Sequence, residues 1–555
     1  MSIKQQMYVL LVIAGVALGL RLYKVWDNPP ALSWDEVSIG YNAYSILKTG
    51  KDEHGRFLPL DTFIAYGDYK PPLAIYLTVP SVAIFGLNEF AVRFPSVLFG
   101  TLTVLMTYFL VKELFKKSKN YELITNNLPL LSTALLAISP WHINISRAGF
   151  EATIALFFIV LGAVLCLKAR QKPKLYLVCW LPFVAAIYTF NSARYFVPFL
   201  VLGLVVFIGK NVFFYKKYFI EGIILSIVLL LPILPHLFSK QAILRFAEVN
   251  IFSDISPVVT SNNRITREGS SLLSKALNNR RVGYTYSMLT HYMDHFDPNF
   301  LFIRGDGNPK FSTQDVGQLY LIEAPLLALG IIMLLSRNAK VALFLLFWLL
   351  ASIIPAATAR ETPHALRILN SLPTWQIFIA YGIVGTVSRI KYYVYKNNRN
   401  HKFKYLHRGF IYTISALYLL SLLYYLYNYY VHYPRLYSGE WQYGYKQALA
   451  YTNSNGSTYE KIYVSEVIGR AYMYTLFYTK YDPLKFQRNN SSYFDSAGFY
   501  HVDGFGRYIF TDTLPITLDK SSLYIFPSNQ VPQNATIKQI IPLLNGDPVL
   551  TIFEK

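Results

Sequence analysis

Apolar runs of roughly 20 residues recur along this 555-residue chain, each long enough to cross about 30 Å of hydrocarbon as a helix. They fall near 7–24, 93–113, 128–145, 150–168, 175–192, 195–210, 218–238, 319–336, 341–357, 367–388 and 409–431, about eleven spans. One large soluble core would need amphipathic helices instead. Composition agrees, since 15% of residues are charged where soluble domains carry about 25%. Cys166 and Cys179 both fall in apolar runs, with no spacing for a metal cluster or a disulfide framework. The run after Lys4 lacks a small-x-small cleavage pattern and reads as an uncleaved first span.

The net charge of +21 does not point to nucleic acid, because the cations sit in short clusters between the apolar runs. The clusters are Lys112, Lys116, Lys117 and Lys119; Lys168, Arg170, Lys172 and Lys174; Lys210, Lys216 and Lys217; Arg337 and Lys340; and a dense one from Arg389 through Lys391, Lys396, Arg399, Lys402 and Lys404 to Arg408. They fall in alternate loops, which the positive-inside bias makes cytoplasmic. That predicts a multi-pass protein of the plasma (inner) membrane with a cytoplasmic N-terminus. Residues 71–87 are apolar enough for a short span, but crossing there would put every later cluster outside. They are expected to lie in the interface.

Three long outer segments remain: 25–92, 239–318 and 432–555. The expected division is a transmembrane domain over 1–431 and an extracytoplasmic domain over 432–555. The tail is polar and Tyr-rich, and reads as helix at 440–451, strand at 461–465, helix at 470–480, then strands at 507–511, 523–526 and 549–553, a small α/β domain. Asn-x-Ser/Thr sequons stand at Asn455, Asn489, Asn490 and Asn534.

Chemistry-bearing residues gather in the outer segments. Asp35 and Glu36 follow the first span. A partly desolvated carboxylate there can act as a general base, although an acidic residue at a helix start also serves as a cap. Lys70 precedes Pro71 and Pro72, which hold it extended and present its ammonium as a point charge for a phosphate. A lysine snorkelling to headgroups gives the same pattern. Arg93, Arg147, Arg194, Arg360 and Arg367 stand at outer ends, against the usual depletion of outer cations, with His142 and His364 among them. Guanidiniums converging on one cavity suit a phosphate; others serve as interfacial anchors. His291 and His295 share a helix face beside Asp294 and Asp297, but no metalloprotease glutamate follows, so structural or substrate contact is the favoured reading and no metal is assigned. No cofactor is implied, and no P-loop or G-x-S-x-G turn occurs.

Taken in order, LSWDEVSIGYNAYSILKTGKDEHGRFLPL, GDYKPPLAIYLTVPSVAIFGLNEFAVRFPSVLFGTLTVL, SPWHINISRAGFEATIALFF, HFDPNFLFIRGDGN and PHALRILNSLPTW resemble the GT-C membrane glycosyltransferases, in particular the family 39, protein-mannosyltransferase-like group and its relatives the lipid A aminoarabinose transferases. The likeness covers residues 1–390. It implies an α-helical polytopic GT-C fold and an inverting transfer from a polyprenyl- or dolichyl-phosphate sugar to a hydroxyl of a glycan, lipid or protein on the outer face. It places Asp35 as the catalytic carboxylate, Lys70 near the donor phosphate and Arg147 at the membrane edge; the residue reading adds Glu36 as a second catalytic candidate and sets Arg147 and Arg194 beside Lys70 for the donor phosphate. Substrate contacts then fall to Arg93, His142, His291, His295, Arg360, His364 and Arg367. Tyr69 departs from the glutamate that the aminoarabinose transferases carry. The competing class is a transporter or lipid flippase, which tends to show inverted repeats and broken helices at mid-membrane; no repeat is visible.

Overall fold

The computed structural model describes residues 2–116, 127–239, 250–396, 405–496 and 498–555. Lys117, Lys119, Arg399, Lys402 and Lys404 of the predicted cytoplasmic clusters lie outside the described residues.

The chain is mostly helical. Helices α1 (Ile3–Leu22) and α2 (Trp34–Thr49) lead to a hairpin, β1 (Phe63–Ala65) with β2 (Asp68–Lys70), then α3 (Leu73–Phe85) and α4 (Glu89–Phe115). Next come α5 (Leu128–Ile138), α6 (Pro140–Arg147), α7 (Glu151–Ala169), α8 (Leu181–Ile187), α9 (Asn191–Ile208) and α10 (Lys216–Leu230). After a segment with α11 (Ser256–Arg267) and α12 (Arg280–Asp294) follow α13 (Glu323–Arg337), α14 (Ala339–Ala357), α15 (Thr374–Lys396) and α16 (Leu406–Tyr427).

Seven helices among the described residues are long and apolar enough to cross a membrane, or eight if α5 and α6, bent by 54° at Ser139, count as one span. The sequence predicts about eleven, and the difference has local causes. The run at 175–192 breaks into a 3-10 turn (Pro173–Leu177) and the seven-residue α8, and α13 has only 15 residues. The run at 367–388 starts its helix only at Thr374, past Pro373, and its 23 residues include Gln376, Arg389, Lys391 and Lys396, which leave it less apolar than the counted spans. The last span passes residue 431, because a π turn (Asn428–His432) carries it on to Tyr437. Helix α3, with 13 residues, rises only about 20 Å, short of the hydrocarbon thickness.

The bundle ends are marked by buried polar groups. At one end of α4 and α7, Arg170 donates to the Glu113 carbonyl (2.6 Å) and Gln171 to the Glu113 carboxylate (3.1 Å). At the other end Arg93 and Gly149 meet on Glu36. Between α13 and α15 the backbones touch: a Cβ on Gly330 would stand 1.9 Å from the Phe378 carbonyl oxygen, and one on Gly382 2.2 Å from that of Leu326. Only glycine at both positions permits this approach.

The C-terminal part holds α17 (Tyr445–Asn455) and α18 (Ala471–Tyr478) over a seven-stranded sheet. Its strands are β3 (Lys461–Ser465), β4 (Asn490–Phe494), β5 (Tyr500–Phe505), β6 (Tyr508–Thr511), β7 (Ser522–Phe526), β8 (Thr536–Pro542) and β9 (Pro548–Glu554), in the order β4-β5-β6-β3-β7-β9-β8. Pairs β3–β6 and β3–β7 are parallel and the rest antiparallel. This sheet does not keep its core to itself. Val37, Tyr41, Phe63 and Ile75 of the segment 25–92 share one buried cluster with Leu449, Tyr472, Phe477 and Ile525. Tyr474 Oη donates to the Leu32 carbonyl (2.9 Å), Tyr41 Oη to that of Tyr481 (3.0 Å), and Lys446 pairs with Glu89 (2.6 Å). The domain therefore clamps the segment that carries Asp35.

Candidate functional site

The start of α2 separates its two adjacent carboxylates by function. Ser33 is the N-cap: its Oγ accepts from the Glu36 amide (3.4 Å), while Glu36 Oε2 accepts from the Ser33 amide (2.8 Å). This reciprocal box satisfies two amides that a helix start leaves open, so capping falls to Ser33 and Glu36 rather than Asp35. Glu36 is fully buried, and its Oε1 also accepts from Arg93 Nε (2.8 Å) and the Gly149 amide (2.9 Å). One position earlier on the helix turn, Asp35 keeps 32% of its side chain exposed and meets Lys70 Nζ at 3.0 Å.

Lys70 is delivered by the β1–β2 hairpin, whose turn uses positive φ at Tyr66 (60°) and Gly67 (96°). A Cβ at Gly67 would press on the Phe499 backbone at 2.9 Å, so the domain holds the turn in place. The lysine side chain is 8% exposed, and Nζ also reaches Glu151 (3.3 Å) and Asp68 (3.4 Å). Burial opposes its charge, but Asp35, Glu151 and Asp68 outweigh that and hold the ammonium well above the ordinary lysine pKa. Lys70 stays protonated throughout the physiological range. Beyond Pro72, the Leu73 amide donates to the Tyr188 carbonyl (2.9 Å) and brings the hairpin to the segment that opens α9. Arg194 stands there, with Nη2 buried and unbonded.

The other outer arginines do not converge on this cluster. Arg93 and Arg147 are fully buried. Besides Glu36, Arg93 donates to the carbonyls of Val25 (2.8 Å), Pro29 (2.9 Å) and Ala31. Arg147 donates to Leu20 (2.8 Å), Arg21 (3.2 Å) and Asn28 (2.8 Å), with Nε on Tyr429 Oη (3.1 Å). These carbonyls belong to the end of α1 and the link that follows it, where a helix leaves acceptors without intrahelical donors. The two guanidiniums staple the loop behind Asp35 rather than face a ligand. His142, with its Nδ1 2.6 Å from Arg21 Nη2, lies inside the bundle.

The remaining candidates form a second group. His291 Nδ1 donates to the Ala359 carbonyl (2.9 Å) and His295 Nδ1 to the His291 carbonyl (2.8 Å), leaving His295 Nε2 to accept the His364 amide (3.3 Å). Asp306 accepts from the Ala365 (2.6 Å) and Asn308 (2.8 Å) amides and lies 4.0 Å from His364 Nδ1. Arg367 Nη1 donates to the Glu361 carbonyl (3.3 Å), and Arg360 is exposed. His291 in α12 and His295 at its C-terminal cap are thus turned to backbone. Among the described residues no group of three or more His, Cys, Asp or Glu is placed to hold a metal ion.

Ser33, Asp68, Glu151 and Lys310 belong to the site without having been singled out in the sequence. Asp68 and Glu151 lie inside the quoted segments, and only the fold shows them meeting Lys70. Lys310 Nζ sits 4.0 Å above the Trp34 ring, a contact across 276 positions that no local pattern announces.

With this geometry in place, three likenesses bear on the chain. Residues 11–239 match the family model described as dolichyl-phosphate-mannose-protein mannosyltransferase. Two Bacillus subtilis (strain 168) proteins that carry provisional mannosyltransferase names are similar: YkcB, 25% identical over 170 residues, and YycA, 23% identical over 225 residues. The matches span 30% and 40% of this chain, and only 21% and 30% of those relatives' own lengths. The crystal structure of ArnT from Cupriavidus metallidurans bound to undecaprenyl phosphate superposes with a TM-score of 0.52 at 12% identity, over 99% of this chain and 97% of that one. This chain has the ArnT fold. The likeness to the protein-mannosyltransferase family, read first from the outer motifs, stands on the matched region, and the chain is a multi-pass integral membrane protein.

Proposed function

We propose that this protein is an inverting GT-C glycosyltransferase of the plasma (inner) membrane, taking a sugar from a polyprenyl- or dolichyl-phosphate carrier at the outer face. The observation that carries the reading is Asp35: partly exposed, excused from capping, and held by a buried Lys70 where the membrane bundle meets the C-terminal domain. In the reaction an acceptor hydroxyl attacks the anomeric carbon while Asp35 takes its proton, and the bond from that carbon to the phosphate oxygen breaks with its electrons leaving on the lipid phosphate. A positioned base of this kind contributes about 10²–10⁴-fold. Arg194, with its unbonded Nη2, stands on the leaving-group side, where positive charge lowers the barrier as the phosphate charge develops, while Lys70, whose one charge is shared by three carboxylates, holds Asp35 in place. Glu36 positions α2, and Arg93 and Arg147 fix the loop behind it.

The alternating cationic loops support a cytoplasmic N-terminus and an outer C-terminal domain. Mannose is the sugar that the family description and the two Bacillus names point to, and the acceptor is a hydroxyl of a glycan, lipid or protein. Radiolabelled polyprenyl-phosphate mannose supplied to the purified full chain tests the reading. Label transfer by the native protein and none by a folded Asp35→Asn variant is the expected result. Near-native turnover by that variant removes Asp35 from the mechanism.

A further inference from the structure

Two cations near Asp35 are bound to aromatic faces instead of carboxylates. Lys310 is 9% exposed with Nζ 4.0 Å above the Trp34 ring, and Arg470 lies with its guanidinium carbon 4.8 Å from the Tyr66 ring. The two residues are linked, since Tyr66 Oη donates to the backbone carbonyl of Trp34 (2.8 Å), and Trp34 immediately precedes Asp35. Among the described residues neither cation has a carboxylate within 4.0 Å. Their placement is built in. Lys310 rides a loop tied down by Asp306, Asn308 and Ser312, with Pro309 bonded to Tyr433 (2.7 Å). Arg470 adopts φ 59°, a left-handed conformation costly for a side chain of its size, directly after Gly469 packs against Trp34.

The two sides of Asp35 therefore differ in charge. On the side of Lys70, where Glu151 opens a membrane span, three carboxylates already surround one ammonium. On the side of the C-terminal domain, two cations have no carboxylate in direct contact, Asp35, Glu440 and Glu36 acting on Lys310 and Glu466 on Arg470 only from further off, and low local dielectric makes such charge effective toward an anion. A lipid-borne donor comes from the membrane side, so the domain side is left to the acceptor.

We propose that Lys310 and Arg470 form an anion subsite for the acceptor, which carries a phosphate-type group close to the hydroxyl it offers. This rests on the glycosyltransferase reading for the word acceptor, but not for the binding itself. The test is equilibrium binding to the full chain in detergent of three probes: a phosphodiester-linked glycerol oligomer, uncharged triglycerol, and undecaprenyl phosphate. The native protein should prefer the charged oligomer over the neutral one by about tenfold or more, as expected for charge-assisted hydrogen bonds. Lys310→Ala and Arg470→Ala should each erase most of that preference, Lys310→Arg should restore it, and undecaprenyl phosphate should bind all variants alike. No preference in the native protein, or one that survives both alanine variants, overturns the proposal. Loss of undecaprenyl phosphate binding with the oligomer preference intact also overturns it, by giving the cations to the donor. Charge-selective binding by a protein that transfers no sugar would sink the proposed function and leave this subsite standing.

Discussion

Lys70 Nζ lies 3.0 Å from Asp35 Oδ1 and also touches Glu151 (3.3 Å) and Asp68 (3.4 Å), so one ammonium holds three carboxylates together. Its sequence position before two prolines accounts for its fixed backbone; the fold adds that its charge is already matched. Removing that charge leaves three like charges that cannot all remain ionised. In Lys70→Met the acid limb of the kcat/KM profile should therefore move to higher pH, by about one unit or more. Lys70→Arg should keep the limb close to its native place. Profiles of the three proteins that coincide would show that Lys70 does not govern ionisation in the cluster.

Glu36 and Arg93 make the opposite case from Asp35. Both are fully buried, and their pair (2.8 Å) ties α2 to α4, while Arg93 also gathers three loop carbonyls. Breaking such a pair by removing one partner costs about 3–5 kcal/mol. Glu36→Ala should lower folded yield and apparent Tm strongly, and Asp35→Asn should leave both near native. Thermal unfolding in detergent of the two variants side by side checks this, and equal stability would show that the neighbouring carboxylates share one role.

The contrast between these neighbours shows where sequence stops being legible. Most of the apolar runs and strands β3, β6, β7 and β9 were readable, because each depends on periodicity or local backbone restriction. Strands β4, β5 and β8 were not; in the edge strands β4 and β8 most residues are exposed and the alternation that marks a strand is lost. The local Ser33-x-x-Glu36 capping-box pattern does separate Glu36 from Asp35, although it was not singled out. Arg194 could not be told from Arg93 and Arg147, because the partners that decide those roles, Glu36, loop carbonyls and Tyr429, lie far away in the chain. An arginine at an outer helix end looks the same whether it faces a phosphate or fills the end of its neighbour.

The crossing of α13 and α15 gives a second stability test. A side chain at Gly330 meets backbone, the Phe378 carbonyl oxygen at 1.9 Å, whereas one at Gly385 meets only the flexible Met333 Cε at 2.4 Å. Gly330→Val should prevent assembly of the bundle, seen as loss of a monodisperse peak on gel filtration. Gly385→Ala should be tolerated with a Tm shift of a few degrees at most, an overpacking that a long side chain can relieve. A well-behaved Gly330→Val protein would mean that the two helices stand further apart than the backbone contact requires.

The buried group around Asp306 makes acid stability predictable in sign. Burial raises Asp306 from 3.8 to about 6 and lowers His295 from 6.5 to about 4; His364 is also held well below its ordinary value by burial. For Asp306 and His295 these displacements each correspond to about 3 kcal/mol. The signs oppose. Between about pH 4 and 6 the folded protein holds a proton on Asp306 that the unfolded chain releases, so this group stabilises the fold as pH falls. The histidines do the reverse, because only the unfolded chain protonates them readily from 6.5 downward. Asp306 thus offsets one of two histidines, and the native protein should lose stability on acidification less steeply than Asp306→Asn. His295→Gln should flatten the acid decline instead. Apparent Tm in detergent between pH 7 and 4.5 separates the three proteins, and a steeper acid decline in His295→Gln than in Asp306→Asn would reverse the assignment of charge states in this group.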